Sequence, residues 1–213
     1  MCPSSTRDRL KGLYAILDER WATACSLVEV LKQLGEAGVS LVQYRNKDGA
    51  MQEAYVQAMK LRDVAETYGI LFIVNDRCDL ALSVEADGVH LGQSDLPLDE
   101  ARDLMGADRL IGISTHRAEE VLHATSGGAD YLGFGPIFGT MTKTDHEPVV
   151  GLEGLRSIRA LTSLPIFAIG GITPTCTNDV ILAGANGIAV ASAILDSTDR
   201  PQTVTQFISA FQP

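Results

Sequence analysis

The chain has few cysteines, no apolar run of membrane length and no excess of basic charge, and each shortage removes a class of function. Its 213 residues include four cysteines, Cys2, Cys25, Cys78 and Cys176. None is paired in a CxxC spacing, which speaks against a disulfide framework or a zinc site and for reduced thiols in a cytosol. Cys78 stands beside an acidic cluster but reads as a packing residue. There are 17 Lys and Arg against 27 Asp and Glu, a formal net charge of −10. General nucleic-acid binding would leave a basic footprint instead. Anionic small molecules stay open, because a local group of cations can oppose the global sign. No segment approaches the ~20 apolar residues of a membrane helix, and the polar start Met1-Cys2-Pro3-Ser4-Ser5-Thr6 lacks the apolar core of a signal peptide. No linker, charge block or low-complexity stretch divides the chain. The expectation is one soluble, cytoplasmic domain over 1–213, with 1–11 as a short N-terminal extension.

What is present is alternation. Strand-like apolar runs at 12–17, 39–44, 70–74, 88–91, 110–113, 130–134, 164–169 and 187–190 are each followed by a helical stretch. Those stretches cover 24–37, 51–68, 77–84, 98–105, 118–125, 152–161, 178–183 and 202–211. Short strands alternating with helices imply parallel strands joined by crossover helices. Eight such units predict an α/β fold, a single (β/α)8 TIM barrel. A doubly wound open sheet is the alternative, weakened by the lack of a Gly-rich dinucleotide fingerprint after the first strand. In a barrel of this kind the chemistry gathers at the C-terminal ends of the strands. Polar residues that follow each strand are therefore the candidates.

After the second strand, Gln43, Arg45 and Lys47 alternate with Tyr44 and Asn46. Period-two spacing sends two cations and an amide to one side, as a pyrophosphate clamp would need, although a solvated loop with structural ion pairs has the same composition. The third strand leads to Asn75, Asp76, Arg77 and Asp79, the fourth to Gln93, Ser94 and Asp95. Asn75 or Asp76 could simply cap the next helix. Two carboxylates beside a cationic diphosphate pocket suggest Mg²⁺, which takes one or two carboxylates plus phosphate oxygens and water. Asp79 reads as helix surface or a local salt bridge, and His90, inside a strand, as a packed residue of the barrel interior. Ser114, Thr115 and His116 follow the fifth strand. Ser114 could donate to a leaving-group oxygen, or these residues could begin the next helix; no complete Ser-His-Asp arrangement makes Ser114 a nucleophile.

The sixth strand opens into a Gly-Pro turn and then Thr140, Met141, Thr142 and Lys143, which offer two hydroxyls and an ammonium suited to phosphate. Gly170-Gly171 follows the seventh strand and Ala191-Ser192 the eighth. Late-strand loops with glycine amides commonly bind phosphate in these barrels. The residues themselves thus point to a Mg²⁺-dependent barrel with room for a diphosphate and a separate monophosphate.

At these positions the chain resembles the thiamine-phosphate synthase (thiamine-phosphate pyrophosphorylase) family, from about Gly12 to Ile194. The likeness is carried by Gln43-Tyr44-Arg45-Asn46-Lys47, Val74-Asn75-Asp76-Arg77, the run from Gly88 to Asp95, Ile113-Ser114-Thr115-His116, the loop from Gly135 to Lys143, and Ile169-Gly170-Gly171-Ile172. The resemblance implies a transferase of thiamine biosynthesis that joins a pyrimidine diphosphate to a thiazole phosphate and releases pyrophosphate. It places Gln43, Tyr44, Arg45, Asn46, Lys47, Asn75, Ser114 and Lys143 on the pyrimidine diphosphate. Of these, Arg45, Lys47, Ser114 and Lys143 would be catalytic. Thr140, Met141, Thr142, Gly171, Ala191 and Ser192 fall to the thiazole phosphate, and Asp76 and Asp95 to Mg²⁺. Gly139 stands where the family commonly has proline. The related thiazole tautomerases need neither a diphosphate clamp nor paired metal carboxylates; a non-catalytic barrel that binds thiamine precursors is the alternative of a different class. The expected partners are small-molecule substrates, with no nucleic acid and no membrane, and a homo-oligomer stays open.

Overall fold

The structure is a computed structural model that describes residues 6–21, 26–139 and 148–212. Eight parallel strands close into a barrel in sequence order, β1 to β8, with β8 pairing back onto β1. They are β1 (Gly12–Asp18), β2 (Leu41–Arg45), β3 (Leu71–Asn75), β4 (Gly88–Leu91), β5 (Leu110–Thr115), β6 (Tyr131–Phe134), β7 (Ile166–Ile169) and β8 (Gly187–Val190). Helices alternate with them: α1 (Leu27–Glu36), α2 (Met51–Thr67), α3 (Cys78–Ser83), α4 (Leu98–Met105), α5 (Ala118–Ser126), α6 (Gly151–Arg159), α7 (Thr177–Leu182), α8 (Ser192–Leu195) and α9 (Arg200–Ser209). The closed TIM barrel read from the alternation is the fold observed.

Period two along each strand divides the core into two. Tyr14, Ile16, Leu41, Leu71, Ile73, Leu110, Tyr131, Phe167 and Ala189 fill the barrel interior. The alternate residues, such as Val42, Tyr44, Phe72 and Val74, face outward and pack against the helices. The helices answer with apolar stripes. In α1 the buried residues are Leu27, Val30, Leu31 and Leu34, the i, i+3, i+4, i+7 pattern of one face. Ser26 starts that helix by accepting the Val28 N–H, and Gly69, at φ +63°, follows the end of α2 in the left-handed conformation that suits a helix stop.

The segment before β1 does more than extend the chain. Residues Thr6–Arg9 form a 3-10 turn, and Leu10 enters the interior core. Arg7 and Arg102 each place a guanidinium nitrogen 2.6 Å from the buried Asp130 carboxylate. Asp130 also accepts the Ile111 N–H, so the cluster ties the N-terminal turn to α4 and β5.

Candidate active site at the strand ends

On the first five strands the interior face ends in a polar residue: Asp18 on β1, Gln43 and Arg45 on β2, Asn75 on β3, His90 on β4, Ser114 on β5. Strand register makes neighbours of residues remote in sequence. Asp18 pairs with Arg45, Asn75 with His90, and Ser114 with Gly133.

Arg45 donates through Nη1 to Asp18 Oδ2, and Arg20 reaches the same oxygen at 3.1 Å. Asp18 also accepts the backbone N–H of Arg20 at 3.0 Å. Burial alone would push the Asp18 carboxyl up; hydrogen bonds from Arg20 and the charge of Arg45 outweigh it and hold the group below the usual carboxylate range. Two guanidinium groups thus share one buried carboxylate at this side of the mouth.

Asp76 sits just past β3 at φ +64°, a conformation rarely adopted by residues other than glycine and often found where function fixes the backbone. Its N–H donates to His90 O at 2.8 Å. Lys47 Nζ lies 3.2 Å from Asp76 Oδ2, and Asp95, anchored by the Gly92 N–H at 2.6 Å, brings a second carboxyl alongside. Burial and the neighbouring Asp95 raise the Asp76 pKa, against the pull of Lys47. Such crowding of like charge is what a bound cation relieves. Among the described residues no group of three or more His, Cys, Asp or Glu is placed to hold a metal; a cation at this point would have the two carboxylates of Asp76 and Asp95 as its protein donors. That number suits Mg²⁺, whose remaining positions go to phosphate oxygens and water.

Next to this pair, Asn75 Nδ2 is buried without a hydrogen-bond partner. A buried amide donor costs free energy until something accepts from it. Asn75, Asp76, Lys47 and Arg77 line a small cavity of about 120 Å³. An unmet donor, an ammonium and a carboxylate pair in one place suit an anion accompanied by a divalent cation.

Tyr44 and Asn46 take a different position from Gln43 and Arg45. Tyr44 is on the outer face of β2, and its hydroxyl donates to Glu19 Oε1 at 3.0 Å. Asn46 bonds the Tyr44 hydroxyl and accepts the Gly49 N–H, which closes the turn after β2. Asp79 pairs with Arg77 at 2.6 Å at the surface, as a local ion pair. Cys78 is buried in the outer core, where burial pushes its thiol up.

Gln43 is buried, and its Nε2 donates to Tyr14 Oη at 2.9 Å. Ser114 Oγ lies 3.0 Å from His90 Nε2, while His90 Nδ1 meets Tyr131 Oη at 3.2 Å. His90 is thus in the barrel interior, as its place in a strand predicts. Its second nitrogen faces a phenol rather than a carboxylate, so the Ser114–His90 pair is not two-thirds of a hydrolase triad. His116 N–H is capped by Glu120 Oε2 at 2.7 Å, at the entrance to α5.

On the opposite side of the mouth, the loop after β6 is laced to β7. Ile137 N–H donates to Ile169 O at 2.8 Å and Phe138 N–H to Gly170 O at 3.0 Å. Gly171, at φ +62°, permits this approach: a Cβ there would stand 2.5 Å from Gly139 O. Ser192 is the first residue of α8, a one-turn helix too short for periodicity to reveal. Gly171 and Ser192 both line a cleft of about 560 Å³, together with Thr173, Ser197 and Gln206. Thr140, Met141, Thr142 and Lys143 lie outside the described residues.

Sequence reasoning missed Asp18 and Arg20 as partners of Arg45, and Tyr14 and Tyr131 as partners of Gln43 and His90. A signal for the second group was there. Gly112 and Gly133 interrupt β5 and β6, and glycine inside a strand often marks a close approach. A Cβ at Gly112 would fall 2.1 Å from Tyr131 Cζ and 2.5 Å from His90 Nδ1.

Comparison with known proteins finds one family along most of the chain. The family model for thiamine monophosphate synthase matches residues 13–194. The thiamine-phosphate synthase of Methanospirillum hungatei is 48% identical over 188 residues, 88% of this chain and 91% of that one. That of Chloroflexus aurantiacus is 46% identical over 187 residues, covering 88% and 86%. Among solved structures, thiamine phosphate pyrophosphorylase from Pyrococcus furiosus superposes with a TM-score of 0.86 at 38% identity, over 96% of both chains.

Proposed function

The chain belongs to the thiamine-phosphate synthase family, and on that footing we propose that it is a transferase joining 4-amino-2-methyl-5-(diphosphooxymethyl)pyrimidine to 4-methyl-5-(2-phosphooxyethyl)thiazole. The products are thiamine phosphate and pyrophosphate. The observation that carries the reading is the meeting of Asp76 with Asp95 beside Lys47 and the unpartnered Asn75 amide. A thiazole tautomerase has no diphosphate to hold and no use for that group.

In this reading the C–O bond to the diphosphate breaks first, and pyrophosphate leaves with the electron pair. The aminopyrimidine ring stabilises the resulting methyl cation, and the thiazole nitrogen then supplies its lone pair to form the C–N bond. The protein contributes position and electrostatics rather than a nucleophile. Arg45, Lys47 and Lys143 meet the charge that grows on the leaving group. Asn75 accommodates an acceptor at its free Nδ2, Gln43 orients the pyrimidine, and Ser114 donates to the same substrate. Thr140, Thr142, Gly171, Ala191 and Ser192 cradle the thiazole phosphate and hold the nucleophile in line. Mg²⁺, when held by Asp76 and Asp95, supplies further positive charge to the departing diphosphate.

The test is pyrophosphate release by the purified protein with the pyrimidine diphosphate and Mg²⁺, with and without thiazole phosphate, and with thiamine phosphate sought by mass. Release that needs both substrates and yields that product is expected. Folded protein that makes no product would transfer the site to the tautomerase or to a binding role, and a pyrimidinyl–protein adduct on the path would overturn the proposed order of steps.

A further inference from the structure

We propose that a one-way chain of buried hydrogen bonds, Gln43 to Tyr14 to Tyr131 to His90 to Ser114, fixes the direction in which Ser114 offers its proton, with Tyr131 and His90 as positioning residues. The inference rests on the reading that Ser114 faces the pyrimidine diphosphate. Its physical content, a single tautomer of His90, stands apart from that reading and is measured apart from it.

Proton counting gives the direction. Gln43 meets Tyr14 Oη through its amide nitrogen, and an amide nitrogen only donates. Tyr14 is fully buried and must place its own proton on a neighbour; of the two partners, Gln43 Nε2 cannot accept and Tyr131 Oη, at 2.9 Å, can. Tyr131, also fully buried, then accepts from Tyr14 and donates to His90 Nδ1 at 3.2 Å. Burial pushes both phenols far above their ordinary pKa, so each keeps its proton. With Nδ1 accepting, His90 carries its proton on Nε2 and donates it to Ser114 Oγ at 3.0 Å. The Ser114 hydroxyl is thereby an acceptor from below, and its own proton turns toward the mouth.

The opposite direction has the opposite consequence. If Ser114 donated to His90, its lone pairs would face the diphosphate oxygens, and like charge would meet like. Two further features suit a chain that is built for orientation. Gly112 leaves the space that His90 and Tyr131 occupy, where a side chain would collide with both, and Gly133 brings the backbone close to the His90 ring. Gln93 donates through Nε2 to Ser114 O at 2.6 Å, which holds the serine backbone while the chain sets its hydroxyl.

The experiment is ¹⁵N NMR of the histidine rings in the labelled full-length protein, with His90→Gln to assign the resonance, alongside steady-state kinetics. The wild type should show an Nε2-protonated ring with a bare Nδ1. Tyr131→Phe removes the donor to Nδ1, so the tautomers should mix. Its kcat should fall roughly tenfold, less than the 10²–10³ that follows loss of a stabilising donor outright, while KM for both substrates stays within about twofold. Tyr14→Phe leaves Tyr131 still donating and should preserve the tautomer; Gln43→Glu makes the first link an acceptor and should reverse it. An Nδ1-protonated ring in the wild type overturns the proposal, as does Tyr131→Phe with an unchanged ring spectrum. If Tyr131→Phe does not fold, the wild-type and Tyr14→Phe spectra decide. A protein that forms no thiamine phosphate yet shows the expected tautomer would defeat the reading of the reaction and leave the chain intact.

Discussion

Asp18→Asn removes one negative charge from the barrel mouth and changes almost no volume, so its effect isolates the electrostatics of the cluster. The wild-type carboxylate is 3% exposed and accepts from Arg45 Nη1 and from Arg20 Nε, Nη2 and backbone N. An amide keeps one oxygen as acceptor and turns an NH₂ toward a guanidinium, donor against donor. Breaking a buried ion pair by removing one partner costs about 3–5 kcal/mol, whereas exposed pairs are worth about 0.2–1 kcal/mol. Arg45 is 11% exposed and Arg20 35%, so both retain some water, and one acceptor remains. The expected loss therefore falls between the limits, about 2 kcal/mol. For a chain of this length that corresponds to roughly 4–8 °C in melting temperature.

The pH dependence supplies an independent check. The Asp18 pKa is lowered on folding from its ordinary value of 3.8, so folding favours the ionised form. Its contribution is fully present above that unfolded value and fades as pH falls through the lower folded value. Urea unfolding followed by circular dichroism should thus show a constant gap between wild type and Asp18→Asn from pH 7 to about 5. The gap should narrow below about pH 4. Equal midpoints at pH 7, or a gap that persists unchanged to the most acidic condition where both fold, would refute the reasoning.

Two further substitutions probe the two ends of the site. Asp76→Asn should lower Mg²⁺-dependent turnover by two orders of magnitude or more, since metal charge stabilisation is worth several kcal/mol. It should not lower the melting temperature, because Asn tolerates φ +64° and the repulsion from Asp95 is gone; near-normal metal-dependent activity would remove Asp76 from the ligand pair. Gly171→Ala places a Cβ 2.5 Å from Gly139 O at a left-handed φ, and should cost about 1–3 kcal/mol of stability. It should also raise KM for thiazole phosphate while KM for the pyrimidine diphosphate holds; unchanged stability and KM would show that the close approach is dispensable.

The barrel was legible because its signal is periodic. Each strand is a short apolar run and each helix buries a stripe, so the order and number of the large elements follow from pattern alone. The edges were less legible. β2 runs Leu41–Arg45 rather than 39–44, and β5 extends to Thr115 rather than ending at 113. At these ends Arg45 pairs in register with Asp18 on β1, and Ser114 and Thr115 pair with Gly133 and Phe134 on β6, partners that a window on one strand does not contain. The one-turn α8 and the 3-10 turn at Thr6–Arg9 are shorter than any period that could announce them. Leu10 is a single apolar residue, and only closure of the barrel floor makes it core.

The site divides along the same line. Lys47, Asn75, Asp76 and Asp95 were readable because type and position after a strand already imply a charged rim, and closure of the barrel brings them together. What could not be read was which neighbour each residue meets, since that is set by the stagger between adjacent strands. His90 and Ser114 are 24 residues apart in sequence and 3.0 Å apart in space; Asp18 and Arg45 are partners because β1 and β2 pair in that register. The glycines carried part of the missing information. Gly112 lies opposite His90 in the β4–β5 register and opposite Tyr131 in the β5–β6 register. A strand glycine flanked in this way predicts that large side chains from both neighbours fill its space. At this position those side chains are an imidazole and a phenol, so the vacancy that permits packing also permits the hydrogen bond that orients Ser114.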